Sequence, residues 1–304
     1  MSSGYIPAFT LAPEKKAPVA AKPAPAPTTP RFIDDVAAGR VELPTIPRVV
    51  QQLIAALRDP NIDVRKIGQA LSQDPVLSAK VLRVANSSFY GGQRSMASID
   101  AAIALIGIQP LNRLVVACGV ADSLKAVPGI DLKLFWRDAL VAATAATRLA
   151  PRLGADAEHA YICGLLHAAG HLILCRSYPE IADAMFTGFA PVRGAELAAI
   201  ELEAFGIDHP QVGAIWVESL GFPQTVSDTI RKMLQPVAEL HEPLELVLYS
   251  ACRLAVAVAQ QDSAETALAA LPPGVGEKFT AAGGQPDVAF GRLYEALLAT
   301  EPLL

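Results

Sequence analysis

A chain of 304 residues, 52% hydrophobic, 6% aromatic and 18% charged, carries apolar material for one large core or two joined ones. Alanine and leucine outweigh the β-branched and aromatic residues, which argues against an all-β plan and predicts an all-α fold. A net charge of −5 and a pI near 5.6 leave no global field to draw in nucleic acid or an anionic membrane, so nucleic acid is not an expected partner.

Residues 1–30 are rich in Ala and Pro and lack a periodic apolar face, so they are expected to form a disordered tail with tethering as its role. From Phe32 onward helix signals recur. Val49, Leu53 and Leu57 repeat every four residues, and Arg58-Asp59-Pro60 ends that helix. Asp74-Pro75 predicts the start of the next, because the carboxylate can cap free N–H groups and proline at the first position sacrifices no hydrogen bond. It runs through Leu77, Val81 and Val84 to Asn86 and Gly91-Gly92. Pro110 opens another through Leu114 to Leu124, and Val127-Pro128-Gly129 breaks the chain at an expected subdomain boundary.

Long helices are predicted over Leu132 to Leu149 and Ala157 to Leu174, with shorter ones after Pro179, Arg193, Asp208 and Pro223. Leu244, Val247, Leu248, Ala251, Leu254, Ala255 and Val258 form a stripe of period 3.6. A loop-rich stretch from Leu271 to Pro286 precedes a last helix near Val288 to Leu298. The chain thus divides into the tail, a helical half over 31–127, a second half with its following helix over 128–261, and a helical extension over 262–304. No strand pattern persists and no internal repeat is evident.

The best membrane candidate, Leu244 to Ala259, is interrupted by Glu245 and Arg253, and Met1 to Lys16 lacks a basic segment followed by an apolar core. No membrane insertion is expected, and the protein reads as soluble and cytoplasmic. Cys118, Cys163, Cys175 and Cys252 show no Cys-x-x-Cys spacing and read as core residues of a reducing compartment.

Cys163, His167, His171 and Cys175 are spaced by four. On a continuous helix each such step climbs about 6 Å and turns about 40°, so the outer pair would lie about 18 Å apart and the four cannot share an ion. They are expected to be core packing plus one surface-directed histidine. Asp208-His209-Pro210-Gln211 reads as a capping-box variant before it reads as a ligand set. Asn86-Ser87-Ser88-Phe89-Tyr90 is either a helix end whose aromatics fill the seam between halves or a recognition surface. Gly91-Gly92-Gln93-Arg94 is a weak phosphate signal and a better flexible turn. No nucleophile elbow, phosphate loop or dinucleotide fingerprint is present.

Several stretches, in order, resemble the HD-related output domain (HDOD) family: Leu43-Pro-Thr-Ile-Pro47, Asp74-Pro-Val-Leu-Ser-Ala-Lys-Val-Leu-Arg-Val-Ala-Asn-Ser-Ser-Phe-Tyr90, Ser98 to Gly107, Phe135-Trp136, Gly164-Leu-Leu-His167 and Phe205 to Gly213. The resemblance implies an N-terminal helical bundle packed on a part related to HD phosphohydrolases, and a bacterial signalling or regulatory role. It also implies where those hydrolases hold metal. The position of a first histidine is Asp138, His167 is kept, and its acidic partner is Ala168. His209 is kept, later histidines fall near Met233 and Leu234, and a last aspartate is matched by Cys252.

An HD pair offers a divalent ion one neutral nitrogen and one anionic oxygen, and an alanine methyl does neither job. The residual candidates Asp138, His167 and His209 therefore lead to no expected metal, no cofactor and no catalysis. The expected function is a non-catalytic regulatory output protein that binds an unidentified signalling protein or a small nucleotide. Its binding surface is placed at Asn86, Ser87, Ser88, Phe89, Tyr90 and Arg94. The alternative is a divergent phosphohydrolase acting on a nucleotide or cyclic dinucleotide.

Overall fold

The computed structural model describes residues 32–58, 71, 74–86, 96–125, 127, 129–186, 194–281 and 283–300. The described residues are helical, with no β-strand among them, as the composition predicts. The first half contains α1 (Phe32–Ala37), α2 (Arg48–Arg58), α3 (Pro75–Ala85), α4 (Ile99–Ile106) and α5 (Ile108–Ser123). Asp74 caps α3 through Leu77 N–H at 2.9 Å, with proline in its first turn, and Ser98 caps α4 in the same way. The helix read as opening at Pro110 begins two residues earlier, and the proline sits in its first turn, where no N–H is needed.

The second half follows the turn at Gly129. It holds α6 (Leu132–Leu153), α7 (Ala157–Leu166), α8 (Ala169–Ser177), α9 (Pro179–Phe186), α10 (Gly194–Phe205), α11 (His209–Ser219), α12 (Gln224–Arg231) and α13 (Pro243–Gln260). Then come α14 (Ala264–Ala269), α15 (Pro273–Gly276) and α16 (Val288–Leu298). α13 is long and apolar enough to cross a membrane by length and composition, but Val247, Leu248, Ala251, Leu254 and Ala255 are spent on the core.

α6 organises this half because its alanines let helices approach on two sides. Ala139, Leu140 and Ala143 face a core that extends from Phe32 to Cys252. Val141, Ala142, Ala145, Ala146 and Leu149 face a second core built with α13, α14, α15 and α16. The first core runs across the turn at Gly129. A strap over residues 42–47 and helix α1 tie the halves together: the indole of Trp216 donates to Pro44 O at 2.8 Å and Arg176 donates to Glu42 O at 3.0 Å, while the Tyr178 hydroxyl donates to Asp35 of α1 at 2.6 Å.

One predicted helix is two. Instead of running unbroken from Ala157 to Leu174, the chain breaks at His167 and Ala168, where Ala168 adopts φ −109°, ψ 1° in the sparsely allowed bridge region. The glycines on either side account for the geometry. A Cβ on Gly164 would lie 2.6 Å from Ala143 Cα, and one on Gly170 would lie 2.0 Å from His209 O. α7 is pressed onto α6, and α8 onto the start of α11.

Candidate functional site

The break between α7 and α8 places three histidines around the start of α11, and all three are buried: His167 at 1% exposure, His171 at 3% and His209 at 0%. This corrects the expectation of a surface-directed histidine. Because the helix is interrupted, the spacing of four from Cys163 to Cys175 is not a single-helix ladder at all. His167 ends α7, and its Nδ1 donates to Gly164 O at 2.7 Å, satisfying a carbonyl the helix leaves free. Burial pushes this imidazole down to about 4, with the Gly164 carbonyl opposing and His209 reinforcing the shift, so the ring is neutral at neutral pH.

His209 combines the cap predicted for its segment with a second role. Asp208 caps α11 through Gln211 N–H at 3.0 Å, while His209 Nδ1 and its backbone N–H both donate to Glu201 Oε2, at 2.6 and 2.8 Å. The other oxygen of Glu201 takes His171 Nδ1 at 2.7 Å. Glu201 is fully buried, and it joins α8, α10 and α11 through one carboxylate. The sequence reading missed it, although the signal was present: Leu197, Glu201 and Phe205 are spaced by four, which sets the carboxylate on the apolar face of α10.

Cys175 Sγ lies 3.6 Å from His171 Nε2 and 4.0 Å from its Nδ1. Both distances lie within the range of a sulfur hydrogen bond, with Nε2 the nearer ring atom. The thiol thus adds a weak polar contact to a ring whose Nδ1 is already committed to Glu201.

The residues that the resemblance offers for a metal do not fit one. His167 and His209 each present a buried Nε2 without a hydrogen-bond partner, and their Nδ1 partners hold the tautomer a ligand would need. Two nitrogens are too few. Ala168, at 1% exposure, is a core methyl where an acid would stand, and Met233 is core as well. Cys252 lies on α13, and burial pushes its thiol up to about 12, away from the thiolate a metal binds. Asp138 is buried on α6 at 4% exposure. Among the described residues, no three His, Cys, Asp or Glu side chains are grouped to hold an ion.

The other predicted site residues divide by position. Asn86 ends α3, and its side chain pairs with both backbone groups of Met96: Nδ2 donates to Met96 O at 2.8 Å, and Oδ1 accepts from Met96 N–H at 2.6 Å. The two ends of the intervening segment are thus pinned together. Ser87, Ser88, Phe89, Tyr90 and Arg94 lie outside the described residues.

With this geometry in place, the chain can be set beside known proteins. Residues 43–236 match the family model of the HDOD domain. An uncharacterized protein of Treponema pallidum (strain Nichols) is 26% identical over 192 residues, 62% of this chain, and the match spans only 37% of that relative. A solved structure from Shewanella amazonensis SB2B, provisionally described as a phosphohydrolase, is 28% identical with a TM-score of 0.65 and covers 88% of this chain and 92% of its own. An HDOD domain protein of unknown function from Geobacter sulfurreducens aligns with a TM-score of 0.67 at 22% identity, over 89% of this chain and 96% of its own.

Proposed function

The chain belongs to the HDOD domain family, and from that premise we propose that it is a cytoplasmic regulatory protein that signals by binding another protein, without hydrolysing a phosphate ester. The observation that carries this reading is Ala168. Hydrolysis of the HD kind needs an ion held by carboxylates, with open positions at which water loses its proton. Here the acid position is a buried methyl, and His167 is occupied in ending α7.

Binding is assigned to the segment that Asn86 closes. Its amide is already committed to Met96, so Asn86 positions the segment, and contact with the partner falls to Ser87, Ser88, Phe89, Tyr90 and Arg94. Aromatic anchors beside an arginine are the residue types that dominate protein interfaces. The competing reading, a phosphohydrolase, draws on the likeness to the Shewanella protein.

Two measurements separate the readings. Protein purified without chelator should contain well below one equivalent of zinc, iron or manganese. Arg94→Glu should weaken capture of the partner from the native organism, with an unchanged melting curve, while His167→Ala preserves capture. One equivalent of metal that disappears in His167→Ala, with phosphodiester hydrolysis lost alongside it, would establish the hydrolase instead.

A further inference from the structure

We infer that a proton on His171, in place of a metal ion, supplies the positive charge that the buried Glu201 carboxylate requires. The inference rests on the reading above that the ion has been lost, and it assigns what took over its electrostatic task. A carboxylate removed from water without compensation costs several kcal/mol, and Glu201 has no exposure at all. Among the described residues its ion-pair partners are His171 and His209, with no lysine or arginine.

The two imidazoles are placed differently. His209 opens α11 and shares Oε2 between its ring and its backbone N–H, so the helix start already supplies partial positive charge to that oxygen. Oε1 faces His171 at 2.7 Å. His171 meets Glu201 from α10 and Cys175 from its own helix, whose polarisable sulfur lies 3.6 Å from Nε2. His209 reaches the same carboxylate from α11.

Burial alone would push His171 down, but the Cys175 sulfur and the Glu201 carboxylate reverse it and lift the imidazole to about 10. Burial alone would raise Glu201, but His209 and His171 hold it at about 2. The positive charge arrives as a proton on a side chain already in place, so it requires no set of carboxylates to hold an ion.

Nitrogen-15 spectroscopy of the imidazole rings in the intact chain tests the inference, and five histidines make the spectrum tractable. At pH 8 one buried ring should read as protonated on both nitrogens, and that signal should vanish in His171→Gln. If His171→Gln does not fold, Cys175→Ala serves for assignment, because removing the sulfur should shift the same ring. The protein should also melt at the same temperature with and without added zinc or manganese. A neutral His171, or a doubly protonated His209, in metal-free protein would overturn the inference and leave the proposed function standing. A bound equivalent of metal at His167 and His209 would overturn both.

Discussion

At the scale of single residues, the buried side chains around His167 and Glu201 set the expected costs of substitution. Leu166 has no exposure, so Leu166→Ala should cost about 2–5 kcal/mol through lost burial and a residual cavity. His167→Ala should cost less, because it also removes a buried Nε2 that has no partner, and urea denaturation of the two variants gives the order directly. Glu201→Ala should be among the most damaging substitutions, at about 3–5 kcal/mol, since it strands two buried imidazoles. Its pH signature has a definite sign. Glu201 is lowered from 4.5 to about 2, so its stabilisation is present above pH 4.5 and lost as pH falls through about 2. His171 is raised from 6.5 to about 10, so its stabilisation is full below pH 6.5 and lost as pH rises through about 10. The excess stability of the wild type over Glu201→Gln should therefore peak between pH 4.5 and 6.5 and shrink on both sides. A flat difference would mean that the carboxylate acts through shape alone.

At the scale of elements, two glycines set the architecture. Cβ atoms on Gly164 and Gly170 would strike backbone, which no rotamer change relieves, whereas one on Gly213 would come no nearer than 3.4 Å to Ile230 Cγ2 and 3.7 Å to Gly170 N. Gly164→Ala and Gly170→Ala should each cost at least about 1–3 kcal/mol, and Gly213→Ala much less, by denaturant midpoint. The starts at Asp74 and Asp208 were legible because their signals are local: each cap, with a proline close behind it, sits where the chain leaves extended backbone. The break at His167 and Ala168 was not legible. The residues on both sides are apolar and helix-forming, and the cause is the approach of α11, some forty residues away in sequence. Glu201 was half legible, since its face could be read but its two partners come from other helices.

At the scale of the whole molecule, α6 serves two cores, and the family-matched segment ends before the second is complete. Arg152 at the end of α6 pairs with Asp287 at 2.6 Å and lies over the Phe279 ring at 4.5 Å, while Lys278 donates to Arg152 O. A fragment limited to residues 43–236 would expose Val141, Ala145 and Leu149 and lose Leu248 and Cys252 from the first core. It should show no cooperative melting transition by circular dichroism, unlike the intact chain. The helical extension was visible as periodicity, but its partner was not, because nothing local marks α6 as two-faced.

The strap carries a consequence in time. Pro44 O waits for the indole of Trp216, 172 residues later in the chain. At the usual pace of synthesis the ribosome needs roughly 10 to 35 s to cover that distance. For that interval the first half is made but cannot be locked to the second, so its apolar surfaces are open to whatever else is in the cell. Seating of Trp216 is then a late event, and in refolding experiments its fluorescence should change after most of the helical signal has returned.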